Sequence, residues 1–205
     1  MNATKCIKKF IEMGNVNLGT NSKNRRFDRQ LKTSISFLFS FVFGFGLQQL
    51  HETYMNGTFT ENLLPIITGY VIIFLSWIGY NRALICRECA PNYFTYLIDC
   101  ILLFAYWALL NFYDNYLDFL ITCTIIYFLY TLWEVIRIYI ITEPEGKDKK
   151  EKKRVYLNLF FMFFFVILSM IYFFTKFLPS SLFMIVTIVL TVLYRLKMKK
   201  LYKSI

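Results

Sequence analysis

The chain has 205 residues, 57% of them hydrophobic and 20% aromatic, and 23 lysines and arginines against 13 acids give a formal net charge of +10. A soluble domain of this size has no interior that could hide so much apolar surface, so lipid has to cover the remainder. The charges fall in blocks between long apolar runs, which is the pattern of an all-α, polytopic membrane protein.

Residues 1–31 carry seven basic residues, from Lys5 to Arg29, against Glu12 and Asp28. No apolar core precedes a small-residue cleavage site, so a cleaved signal peptide is not expected. The piece Ile7–Met13 suits a short interfacial helix, and the run Gly14–Asn24, rich in Gly and Asn, reads as a loop. A first span is expected over residues 32–50. It carries a seam in which Ser36, Ser40, Gly44 and Gln48 recur every four residues, with Thr33 three before Ser36. Helical spacing puts that seam on one face and Phe37, Leu38, Phe41 and Phe45 elsewhere. Two readings compete: a close helix crossing, which small residues permit, and a face lining a water-filled path, which would accommodate the Gln48 amide.

After a segment free of lysine and arginine, HETYMNGTFTEN, a second span covers 63–80, with Trp77 and Tyr80 as interface anchors. The Asn81–Pro91 loop holds Arg82, Arg87 and the pair Cys86 and Cys89. A third span, 94–112, contains Asp99. A turn at Tyr113–Tyr116 leads to a fourth, 117–141, containing Glu134 and Arg137. The run EPEGKDKKEKKR reads as a solvated charged loop. The fifth span, 155–174, is apolar almost all round and reads as lipid-facing; the sixth, 182–196, carries Thr187 and Thr191 on one face, and a basic tail closes the chain. Six spans demand that both termini share a side. The segments that would then face that side hold 21 of the 23 lysines and arginines, so the positive-inside rule puts both termini in the cytoplasm.

Charges inside spans cost about 2.5–3.5 kcal/mol each at mid-helix and therefore seek partners. Asp99, Glu134, Arg137 and Arg82 fall at similar depth on antiparallel helices. They read either as a structural cluster, with Glu134 against Arg137 and Asp99 against Arg82, or as a gate, ion site or proton relay. The Cys86–Cys89 pair lacks a second pair or a histidine nearby, so no metal site is expected within the subunit. No catalytic motif is present and no cofactor is expected; an enzyme is not the expectation. The basic face implies topology and attraction to anionic lipid, and nucleic acid is not an expected partner.

Six spans in about two hundred residues, both termini inside and a polar face on the first helix resemble prokaryotic members of the lysosomal potassium-channel family. In the family's R-x-x-x-F-S-D motif, Arg29 and Ser34 stand at the arginine and serine positions, while Thr33 and Ile35 replace the phenylalanine and aspartate. The resemblance implies a homo-oligomeric channel in a prokaryotic plasma membrane, conducting cations, with the first helix lining the path. The alternative is a membrane-anchored sensor or effector, for instance of a prokaryotic defence system, that recruits a cytosolic protein through residues 1–31 and the Glu143–Arg154 loop.

Overall fold

A computed structural model describes residues 18–85, 93–136, 138, 149–175 and 179–203. They form six helices: α1 Leu18–Met55, α2 Phe59–Ile85, α3 Tyr93–Asn111, α4 Tyr116–Ile136, α5 Lys149–Thr175 and α6 Ser180–Lys203. Each is long and apolar enough to cross a bilayer, the apolar portions running Thr33–Met55, Asn62–Asn81, Phe94–Asn111, Tyr116–Ile136, Lys152–Thr175 and Ser180–Leu201. Among the described residues there is no strand.

Helix α1 starts at Leu18, inside the stretch read from sequence as a loop. Once a span has nucleated a helix, each added residue needs only its own propagation step, and Lys23, Arg25, Arg26 and Gln30 are good helix formers. Helix α1 runs to Met55, and Gly57 closes it in the left-handed region (φ 71°), where a Cβ would be strained. The Gly57 N–H donates to the Tyr54 carbonyl and the Thr58 N–H to the Thr53 carbonyl, so α2 begins two residues later. Asn115 caps α4, its side chain accepting from the Asp118 N–H while its amide donates to the Asp118 carboxylate at 2.7 Å. Pro65 stands inside α2, and the Thr68 hydroxyl donates to the Leu64 carbonyl at 2.7 Å beside it.

Consecutive helices pack side by side from α2 to α6, and α6 returns to α2, closing a five-helix ring; α4 against α5 is its broadest contact. Helix α1 lies on the α2–α3 side of the ring and packs against both, more broadly than they pack against each other. Lipid tails are as apolar as these side chains, so helix association rests on packing, ring contacts and hydrogen bonds rather than on hydrophobic burial. At one end of the ring the packing is apolar: Ile66, Leu109, Leu110, Phe119 and Leu120 are fully buried. At the α4–α5–α6 side Tyr127 is the centre of an aromatic cluster. It stacks on Phe165 with centroids 5.0 Å apart and meets Tyr194 edge-on at 5.0 Å.

Helix α5 exposes a broad face, including Phe160, Phe163, Ile167 and Phe174, as its composition leads one to expect of a lipid-facing helix. It also carries a buried seam of Asn158, Phe161, Phe165 and Ser169. Arg154, assigned from sequence to a solvated charge run, is instead buried at 2% exposure in the first turns of α5, because α5 begins at Lys149 and that position faces its neighbours.

Candidate functional site

All six helices contribute to a cavity of about 80 Å³. Its walls come from the first halves of the apolar portions of α1 and α5, from Asp99 to Tyr106 of α3, and from the last halves of the apolar portions of α2, α4 and α6. The cavity therefore lies toward one end of the bundle, the end where α1 enters and α6 leaves.

The centre of the site is Arg195 on α6. Its Nη2 donates to the Ser76 Oγ of α2 at 2.7 Å and to the Tyr130 hydroxyl of α4 at 2.9 Å. The guanidinium carbon stands 5.3 Å from the Tyr130 ring centroid and 5.1 Å from that of Tyr194, within cation–π range of both. Proton directions follow from these bonds. The Ser76 hydroxyl donates to the Ile72 carbonyl at 2.6 Å, so its oxygen is left as an acceptor. Tyr130, also in contact with Ser76, must then donate to that oxygen, and Tyr106 donates to Tyr130 at 2.7 Å. The three hydroxyl protons thus run one way, Tyr106 to Tyr130 to Ser76 to backbone. The Ser76 and Tyr130 oxygens turn lone pairs toward a cation that can only donate.

Gly79, one turn from Ser76, makes room for this arrangement. A Cβ there would collide with the Arg195 guanidinium. Asn158 on α5 is fully buried; its Oδ1 accepts from the Tyr194 hydroxyl at 2.8 Å, and its Nδ2 is sealed from solvent with no protein partner. The Arg195 Nε is likewise sealed and without a protein partner.

Two of the four charged residues singled out from sequence belong to this cavity. Asp99 and Glu134 both line it, Glu134 at 2% exposure, and Asp99 lies close enough to Tyr80 and Trp133 to interact with both. The Arg82 side chain and Arg137 lie outside the described residues, as do Cys86 and Cys89. The cation seen in the cavity, Arg195, lies near the end of the expected sixth span and was not among the residues singled out from sequence. A signal for it was present: Thr187, Thr191, Arg195 and Met198 follow helical spacing, and α6 continues without a break to Lys203. Among the described residues no group of three or more His, Cys, Asp or Glu is placed to hold a metal.

The α1 seam lies elsewhere. Ser36, Ser40, Gly44 and Gln48 are all exposed, on the side of α1 away from the ring, and Phe37 and Phe41 share that outward side. The buried face of α1 is Ile35, Phe39, Val42, Gly46 and Gln49. The glycine that permits a close approach within the subunit is therefore Gly46: a Cβ on it would stand 2.6 Å from the Tyr70 hydroxyl, whereas one on Gly44 meets nothing within 4 Å. Seam groups partly satisfy themselves, Ser40 donating to the Ser36 carbonyl at 3.1 Å and Gln48 to the Glu52 carboxylate at 2.9 Å.

Fold and site together define a polytopic helical membrane protein with a polar cavity at one end of its bundle. Comparison of the chain with protein families, with curated proteins and with solved structures gives no match.

Proposed function

We propose that the chain is one subunit of a homo-oligomeric membrane pore for ions, with α1 toward the axis and both termini in the cytoplasm. The observation that carries this reading is the direction of the α1 seam. Ser36, Ser40, Gly44 and Gln48 are exposed on the outer side of α1, so no described residue of their own subunit covers them. A carboxamide and hydroxyls on an outward face are better matched by water or by another subunit than by lipid tails.

A path through one subunit is a poor alternative, because the cavity occupies one end of the ring and fully buried apolar side chains occupy the other. Ions would have to pass between subunits. The reading agrees with the resemblance to a channel family whose first helix lines the pore. It also gives the positive-inside count a role, since the basic segments would then meet the anionic cytoplasmic leaflet. Purified protein reconstituted in planar bilayers tests it. Discrete, saturable ionic currents, from a species larger than one subunit by mass photometry, are expected. An assembled protein that carries no current under any voltage, or a monodisperse monomer, contradicts it.

A further inference from the structure

Arg195 lies inside the apolar portion of α6, where a charge is costly until it is neutralised. Among the described residues its direct partners are neutral: the Ser76 and Tyr130 hydroxyls and the rings of Tyr130 and Tyr194. Nη2 is taken up by the two hydroxyl oxygens, and Nη1 lies against Gly79. The Nε edge is left, sealed from solvent and without a protein partner.

Asn158, fully buried in the same cavity wall, presents a second donor of this kind. Its Oδ1 is held by the Tyr194 hydroxyl at 2.8 Å, so its Nδ2 turns away from Tyr194 and is bonded to nothing in the protein. Tyr194 also draws the two donors together, since its ring centroid lies 5.1 Å from the guanidinium carbon. Donors left unmet in such a place cost free energy that an acceptor recovers. Beside a full positive charge, the acceptor that recovers most is an anion. The surroundings favour the same sign. Lys152 and Lys153 of α5 and Lys197, Lys199 and Lys200 of α6 are exposed at this end of the bundle, and their field concentrates small anions there.

We infer that the cavity binds a small monovalent anion, a halide by size and charge, held by the Arg195 Nε and the Asn158 Nδ2. Size agrees: at about 10–15 Å³ per water, a cavity of about 80 Å³ has room for about five to eight waters, so a halide fits with part of its hydration shell. Valence follows from charge. One guanidinium is neutralised by one negative unit, and Asp99 and Glu134, which share the wall without bonding to Arg195, make a second unit costly. The site lies within one subunit and is read by binding, so it stands or falls apart from ion conduction.

The test follows thermal unfolding of the full chain in lipid nanodiscs while chloride replaces gluconate, which is too large for the cavity, at constant ionic strength. The midpoint should rise saturably with chloride, half-complete at about 10 mM or below. Sulfate in place of chloride should give no such rise, although exposed lysines alone would favour the dianion. Asn158→Asp sets a carboxylate of the chain's own where the donor stood, and Arg195→Gln removes the charge. Each should shrink the chloride shift at least about fivefold in folded protein. Size-exclusion profiles identify a variant that fails to fold, and where both fail the chloride and sulfate comparison on the native protein decides. A native midpoint indifferent to chloride up to about 100 mM overturns the proposal. So does sulfate that matches chloride, or a shift of native size in either folded variant.

Discussion

Gly44 and Gly46 stand two residues apart on α1, and the same substitution should move stability in opposite directions. A Cβ at Gly46 would lie 2.6 Å from the Tyr70 hydroxyl oxygen, 2.7 Å from the ring carbon that bears it and 3.0 Å from the Leu110 Cδ1. The ring is not free to swing aside. Its hydroxyl donates to the Phe43 carbonyl at 2.9 Å, and it stacks on Phe43 with centroids 6.0 Å apart. Overpacking costs about 1–3 kcal/mol and the lost hydrogen bond about 1, while the gain in helix propensity returns about 1. Gly46→Ala should therefore lose about 1–3 kcal/mol. At Gly44 only the propensity remains, so Gly44→Ala should be neutral or gain up to about 1 kcal/mol. Reversible unfolding in mixed detergent micelles, with helicity followed by circular dichroism, measures both. Gly46→Ala equal to or more stable than Gly44→Ala would mean that α1 is rotated from the orientation described, and the outward seam would go with it.

Tyr130→Phe removes the hydroxyl that joins Tyr106, Ser76 and Arg195, and should cost about 1–3 kcal/mol in the same assay, since a charged donor loses an acceptor; an unchanged midpoint would mean that the hydroxyls are not linked. Gly79→Ala would press a Cβ against the Arg195 guanidinium and should cost about 1–3 kcal/mol in the same assay; an unchanged midpoint would mean that the guanidinium does not lie against α2. Single cysteines replacing Asn56 or Asn115 in a cysteine-free background should react with an impermeant maleimide on intact cells, and one replacing Lys199 should react only after permeabilisation. Equal reaction at all three positions would contradict the six-span topology.

The helices and their number were legible because a bilayer imposes a length and an apolarity that few soluble segments meet. Pairing was less legible. Asp99 and Glu134 could be placed at one depth from residue counts alone, and they do share a cavity wall. Arg195 falls inside the expected sixth span, 182–196, but next to Lys197, Lys199 and Lys200 it counts only as one more basic residue of the cytoplasmic end; the unbroken register of α6 shows what it faces. The facing of α1 was equally hidden. Gly44 and Gly46 are both small, and which one meets a neighbour depends on where α2 and α3 stand, information absent from the pattern of α1 itself. Tyrosine clusters were invisible for the same reason: in a chain with 15 tyrosines, composition gives no hint that Tyr106, Tyr130 and Tyr194 converge on one guanidinium.

The outward α1 seam as a water-filled path is tested most directly at Ser40. In reconstituted, cysteine-free protein carrying Ser40→Cys, a charged thiosulfonate reagent should modify the thiol and reduce the ionic current, because the reagent needs a thiolate and a thiolate needs water. Phe104→Cys, on the exposed side of α3 and away from the α1 seam, is the control: under this account lipid covers it, so it should stay unmodified. Modification at Ser40 with loss of current is the predicted result. A Ser40→Cys thiol that stays unreactive while current flows undiminished would contradict a pore along α1.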